Sequence, residues 1–185
     1  MKYSKESFSF FGAIFEVYII QALQNMKLVK NSFTHKVFSS LDELSSNDKE
    51  LLQTAIKQLD HAYAPYSKFH VGAAARLEDG SIYVGSNQEN ASYPLCMCAE
   101  RVALYSAAAV KPHVGITSLA ITIQNQNMVI DKPVSPCGAC RQVISEYEFR
   151  HKRPIRILLK SDGDEVYEIS SVADLLPLGF NGTFL

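Results

Sequence analysis

Two short segments hold residue types suited to chemistry: Cys98-Ala99-Glu100-Arg101 and Pro136-Cys137-Gly138-Ala139-Cys140-Arg141. Each opens a stretch of helical character, and a helix N-terminus presents unpaired N–H groups and positive partial charge. A thiol placed there loses its proton readily, and the thiolate is the form that binds metal. Pro136 suits a first helical turn, where its missing N–H costs nothing. Cys98 from one helix start, and Cys137 and Cys140 from another, can therefore converge on one tetrahedral ion. Three protein ligands leave one position open, as catalytic rather than structural zinc sites do. Water in that position is activated near neutral pH. Glu100, two residues from Cys98, is placed to carry protons without binding the metal.

Charge sharpens this reading. Three thiolates on Zn²⁺ sum to −1, which raises the pKa of bound water relative to a site of neutral ligands. The two helix N-termini counter that, and Arg101 and Arg141, each just beyond its motif, can hydrogen-bond to the sulfurs. The competing arrangement is a closed four-sulfur structural site completed by Cys96, since Cys-x-Cys followed by a distant Cys-x-x-Cys approaches zinc-ribbon spacing. Glu100 and the two arginines have no purpose in such a knot, which favours the open site. Asn87 and Glu89 stand two apart in a polar loop, Ser86 to Leu95. An amide and a carboxylate there can hold two hydroxyls, or serve only as a turn former and a solvated charge. His35, His61, His70, His113 and His151 fit no ligand spacing, and none is followed by x-Glu.

These residues need a scaffold, and hydrophobic periodicity supplies one. Leu51, Leu52, Ala55, Ile56, Leu59 and Ala62 recur at helical spacing behind Ser46-Asn47-Asp48, predicting a capped helix to Tyr63. Strands are predicted over Phe69 to Leu77 and Ser81 to Gly85 about the Asp79-Gly80 turn. An Ala-rich helix follows from Cys98 to Val110, then a buried strand from Ile116 to Ile123. Gln124 to Ser135 reads as a polar connection. Pro136 to about Phe149 is a third helix, Ile155 to Leu159 and Val166 to Ile169 are strands, and Ser171 to Leu176 is a helical turn. The order α-β-β-α-β-α-β-β means a sheet with helices on its faces. No P-loop, dinucleotide fingerprint or Gly-x-Ser-x-Gly elbow occurs.

Composition bounds the answer. The chain has 185 residues, 47% of them apolar and 20% charged, which fits one globular domain and excludes disorder. Lys plus Arg is 18 against 19 for Asp plus Glu, so no basic excess points to nucleic acid. Four cysteines are too few for a secreted disulfide scaffold. Residues 1–46 read as an extension of undecided structure and 47–185 as the functional domain. The apolar run Ser7 to Leu23 imitates an export signal. Glu16 interrupts it, no small-x-small cleavage site follows, and it is unsuited to span a membrane. The second methionine, Met26, reads as the start of the working protein.

The pairing Cys-Ala-Glu with Pro-Cys-x-x-Cys resembles the zinc-dependent nucleoside and nucleobase deaminase signature. From about Leu51 to Leu185 the chain is similar to small cytidine deaminases of the all-cysteine, homotetrameric type. The likeness rests on six ordered blocks: Tyr63 to Phe69, Val71 to Ala74, Asn87 to Tyr93, Cys98 to Ala103, Ser135 to Val143 and Leu175 to Phe180. It implies a three-layer α/β/α sandwich with a mixed five-stranded sheet, and one Zn²⁺ per subunit on Cys98, Cys137 and Cys140. It implies hydrolysis of cytidine and 2′-deoxycytidine to uridine and 2′-deoxyuridine with release of ammonia, in cytoplasmic pyrimidine salvage, with no nucleic acid or membrane partner. Glu100 would move the protons, and Asn87 and Glu89 would hold ribose hydroxyls. Phe69 would pack on the base, joined by Phe180 of a neighbouring subunit. The Ala99 backbone would meet the pyrimidine carbonyl, and the Ser135 carbonyl the leaving amino group. Tyr66 and Tyr93 would line sites completed across the interface. Cys96 and His70 depart from the family's usual Gly and Pro, and Cys96 reads as an accessory thiol. Three rivals remain at this level: a deaminase acting on nucleic acid, one acting on another cytosine nucleoside, and a non-catalytic zinc module.

Overall fold

A computed structural model describes residues 26–185, so the expectations for residues 1–25 fall outside the described residues. The chain divides into residues 1–32 and residues 33–185. In the second unit, six strands form one sheet: β1 Lys36–Phe38, β2 Phe69–Leu77, β3 Ile82–Ser86, β4 Ile116–Asn125, β5 Arg156–Lys160 and β6 Val166–Ile169, in the spatial order β1-β6-β5-β4-β2-β3. β4 and β5 pair in parallel and every other neighbouring pair is antiparallel. Three helices cover it: α1 Ser46–Lys57, α2 Ala99–Val110 and α3 Gly138–His151. No helix among the described residues is long and apolar enough to cross a membrane.

The three-layer mixed architecture is the expected one, and the sheet has six strands rather than five. The added strand, β1, pairs Lys36 to Phe38 with Glu168 to Val166. Its three residues carry no alternation long enough to register as a strand. Tertiary pairing with β6 makes it one, aided by the Lys36 ammonium on Glu168 at 2.8 Å.

The pleat divides the core into two layers, because successive strand residues face opposite sides. On one face Leu51, Leu52 and Ala55 of α1 pack on Ala74, Ala120, Leu158 and Val166. On the other, Ala103, Leu104 and Ala107 of α2 and Ile144 of α3 pack on Ala73, Ala75, Leu119, Ile121, Ile157 and Leu159. The alanines keep the helices close to the sheet, and two glycines allow still closer approach. A Cβ on Gly72 would lie 2.1 Å from the Ala55 carbonyl oxygen, and one on Gly85 2.3 Å from that of Ala99.

α1 begins at Ser46, ahead of the Lys49 start that the pattern suggested, and gives way after Lys57 to a 3-10 turn, Gln58–His61, instead of running to Tyr63. Ser45 is its N-cap, accepting from the Asp48 N–H and donating to the Asp48 carboxylate at 2.7 Å. Asp48 also meets Arg156, whose guanidinium reaches Glu168 as well. Burial raises the Asp48 pKa, but the bonds from Arg156 and Ser45 outweigh it and hold the carboxyl below its ordinary value. Asp48 therefore adds stability above the unfolded-state pKa near ~3.9 and loses it as pH falls through and below that value. Arg156→Met is expected to cost on the order of 3 kcal/mol, because two largely buried carboxylates lose their shared cation. Urea denaturation at neutral pH measures it, and the variant's acid-side decline in stability should be shallower than that of the unmodified protein.

Candidate active site

Cys98 is the N-cap of α2 and Cys137 the N-cap of α3, and neither side chain caps its own helix. Their sulfurs turn toward each other instead, 3.9 Å apart. Cys140, one turn into α3 and fully buried, completes a group whose three sulfurs lie within 4.8 Å of one another. Zn–S bonds of about 2.3 Å in tetrahedral geometry put sulfurs roughly 3.8 Å apart, so this donor set fits a zinc ion. Cys96 stands outside the group; its sulfur accepts the Asn90 N–H at 3.2 Å. The geometry is therefore that of three ligands, not of a closed four-sulfur knot.

The surroundings favour the thiolate form of Cys98. The Cys98 thiol is pulled down to about 5, first by its hydrogen bond with Cys140 and then, against burial, by the Arg101 guanidinium. Arg101 Nη2 donates to the Cys98 sulfur at 3.4 Å. The Cys140 thiol is pushed up by the same shared bond, by burial and by the neighbouring Glu100 charge. Glu100, 5% exposed, has its pKa raised by burial, with the Cys98 charge adding to the effect. A carboxyl held above its ordinary value is suited to give and take protons near neutral pH.

Arg141 corrects one expectation. Its donors go to the Pro136 carbonyl at 2.7 Å, the Leu175 carbonyl at 2.9 Å and the Ser135 hydroxyl at 2.7 Å, rather than to sulfur. The reason is its place on α3: the side chain folds back over the helix entry and clamps the Ser135-Pro136 turn. Arg101 alone of the two arginines donates to a ligand sulfur.

Cys98, Cys137 and Glu100 open onto a cavity of about 370 Å³, within the range of roughly 300–1,000 Å³ typical of small-molecule sites. Phe69, Asn87, Glu89 and Ser135 line it, and Ala99 lies buried at the first position of α2, between Cys98 and Glu100. The Asn87 amide is anchored to the start of β2, donating to the Phe69 carbonyl and accepting from the Val71 N–H, each at 2.8 Å. Glu89 accepts from the Tyr66 N–H at 2.8 Å and the Ser67 N–H at 3.3 Å through one oxygen. Burial raises its pKa, yet these bonds and the Ser67 hydroxyl outweigh it and hold the carboxylate ionised. Both side chains are thus fixed, and Glu89 Oε1 has no protein partner among these contacts.

Three expected residues lie elsewhere. Phe180 is 56% exposed, outside the cavity, and stacks on Phe184 with ring centroids 5.9 Å apart. Tyr66 and Tyr93 are also exposed and meet edge to face at 6.1 Å. Conversely, the apolar wall formed by Val71, Ile121, Ile123 and Val134 was not anticipated. The i, i+2 spacing of Phe69 with Val71, and of Ile121 with Ile123, carried that signal, since each pair shares a sheet face.

This geometry matches known proteins. The family described as the cytidine and deoxycytidylate deaminase zinc-binding region matches residues 45–153. The chain belongs to the cytidine and deoxycytidylate deaminase family. It is 41% identical over 134 residues to a cytidine deaminase of Sporosarcina psychrophila, covering 72% of this chain and 90% of that one. A cytidine deaminase of Halalkalibacterium halodurans is 39% identical over 130 residues, covering 70% and 91%. The crystal structure of a cytidine deaminase from Burkholderia pseudomallei superposes with a TM-score of 0.62 at 40% identity, covering 71% of this chain and 97% of that one.

The Arg101 contact predicts that Arg101→Gln folds and retains zinc but turns over roughly 10–100-fold more slowly, measured by steady-state kinetics alongside metal analysis. An unchanged rate removes the role assigned to that contact. Cys96→Ala should keep both metal and activity; loss of zinc would restore the four-sulfur arrangement.

Proposed function

We propose that this protein hydrolyses cytidine and 2′-deoxycytidine to uridine and 2′-deoxyuridine with release of ammonia, as a step of pyrimidine salvage in the cytoplasm. The observation that carries the reading is one cavity lined by Cys98, Cys137 and the Glu100 carboxylate together with the anchored Asn87 and Glu89 side chains, with Cys140 completing the sulfur group behind its wall. The relatives' names support the substrate.

Cys98, Cys137 and Cys140 would hold one zinc ion per chain, which when bound supplies Lewis-acid activation of water. Glu100 takes the proton of the attacking water, delivers it to N3 of the pyrimidine, and later carries a proton to the departing amino nitrogen. Its buried position keeps bulk solvent from competing for those protons. Ala99, at the first position of α2, has an N–H without an intrahelical partner, suited to donate to the pyrimidine 2-carbonyl. The Ser135 carbonyl accepts from the amino group, and the Arg141 clamp fixes the Ser135-Pro136 turn that presents it. Asn87 and Glu89 hold the ribose hydroxyls, chiefly O3′. Such paired polar contacts discriminate strongly, because an analogue lacking its hydroxyl leaves the protein group unsatisfied. Phe69 and the aliphatic wall pack against the base.

The exposed Phe180, Tyr66 and Tyr93 fit a homotetramer in which Phe180 reaches a neighbouring subunit's site. The formal charge of −1 offers no basic channel for a nucleic-acid strand, which favours a free nucleoside as substrate.

Purified protein should deplete the cytidine absorbance band and release ammonia. Glu100→Ala should retain zinc yet lose about 10²–10⁴-fold or more in kcat, since it removes the proton carrier. Metal analysis beside the absorbance assay checks both parts. Unaltered turnover in that variant would remove Glu100 as the proton carrier, and no turnover by the unmodified, zinc-loaded protein would leave it a nucleoside-binding zinc module.

A further inference from the structure

The Asn87 side chain does more than line the cavity: it continues the sheet. The β2–β3 ladder ends at the Gly72–Ser86 pair, and one further backbone bond joins the Asn87 N–H to the Val71 carbonyl at 3.2 Å. Beyond it the Asn87 amide takes the place of a strand, accepting the Val71 N–H and donating to the Phe69 carbonyl, each at 2.8 Å. A primary amide offers two N–H donors and two acceptor lone pairs. One of each is spent on β2. The direction in which the remaining donor and lone pair meet a hydroxyl is therefore set by the backbone of the residue between the two anchors, which is His70.

His70 stands at an open end of the sheet. The β2–β4 ladder stops one pair further on, at Phe69–Asn125, and Lys68 before it is in the left-handed region with φ of 57°. Ladder ends open locally more readily than their interiors. Phe69 faces the cavity, so the alternation of the strand turns the half-buried His70 ring to the opposite face. There Nδ1 lies 3.1 Å from the Leu59 carbonyl, in the turn that follows α1. A carbonyl only accepts, so Nδ1 carries the proton and Nε2 is an acceptor. The Gln126 side-chain amide donates to Nε2 at 3.2 Å, and the Gln126 backbone N–H closes the same end on the Lys68 carbonyl at 3.1 Å. One ring thus ties the start of β2 to the turn after α1 and to the chain just past β4, with both nitrogens engaged.

We propose that His70 is a positioning residue for nucleoside binding. By pinning the Phe69-to-Val71 backbone from the far face of the sheet, it fixes the Asn87 amide in the orientation that a ribose hydroxyl requires. This rests on the reading of Asn87 as a sugar contact. The ring lies on the face away from the cavity and takes no part in proton transfer, so its influence falls on binding rather than on the chemical step.

The test is a double-mutant cycle on the zinc-loaded full-length protein, read by calorimetric titration with uridine, the reaction product, and by steady-state kinetics on cytidine. His70→Ala is expected to weaken uridine binding and raise KM, each roughly tenfold, with kcat within about twofold. His70→Asn, whose side-chain N–H can replace Nδ1–H toward Leu59, should recover most of the loss. Once Asn87→Ala has removed the amide, adding His70→Ala should change uridine binding by less than about twofold. The same loss in both backgrounds, a fall in kcat in place of the rise in KM, or unchanged binding in His70→Ala overturns the assignment. Binding is read apart from turnover: an unmodified protein that holds uridine without deaminating cytidine fails the reading of the reaction, while the cycle still decides the part played by His70.

Discussion

Holding three thiolates in van der Waals contact is the constraint on which the rest depends. Bare sulfur anions at such separations repel strongly, and the repulsion grows as burial lowers the local dielectric. Two features oppose it before any metal is considered. Cys98 and Cys137 each stand at a helix N-terminus, where aligned peptide dipoles favour negative charge. Arg101 adds a full positive charge against the Cys98 sulfur. Glu100 feels a different balance: burial, and with it the Cys98 charge, favours its protonated form and outweighs the opposing pull of Arg101. The site thus stabilises the Cys98 ligand as an anion while keeping the adjacent carboxyl ready to accept a proton.

The sheet topology explains how segments 39 residues apart in the chain meet. β3 and β4 both run antiparallel to β2, which lies between them, so they run parallel to each other. Their C-terminal ends therefore lie at the same end of the sheet, and α2 and α3 each begin there on their way back. Ligand sites of α/β sheets gather at strand carboxyl ends for this reason. Gly85 refines the placement. Without a side chain on β3, α2 settles directly against the strand at Ala99, beside the ligand and the carboxyl that must cooperate.

Much of this was legible from residue order. Helix starts at the two cysteine motifs follow from the placement of Pro136 and the Ala-rich run after Cys98, and the five longer strands follow from apolar pattern. What escaped shares one physical cause, dependence on partners remote in the chain. β1 is three residues long and becomes a strand only because β6 is beside it. The Arg141 contact with Leu175 spans 34 positions, and no local pattern announces it. The type and spacing of Asn87 suggested a hydrogen-bonding role, but not that its amide would be fixed by the backbone of β2. Phe180 illustrates a different limit. It is exposed in this chain, and the role its family resemblance implies requires a neighbour to bring it to a site.

Arg141 also connects the turn at the cavity with the segment that follows Leu175. One guanidinium binds the Ser135-Pro136 turn at the cavity and the carbonyl of Leu175, five residues before Phe180. The next residue, Gln142, donates to the Phe180 carbonyl at 2.8 Å. Consecutive side chains on α3 therefore hold both ends of the Leu175-to-Phe180 segment, while the helix start supplies Cys137 and Cys140. A displacement of that segment is transmitted to the turn through a rigid planar fork rather than a flexible loop. α3 therefore ties its own sulfur-bearing start and the clamped turn to the segment that carries the exposed Phe180 ring.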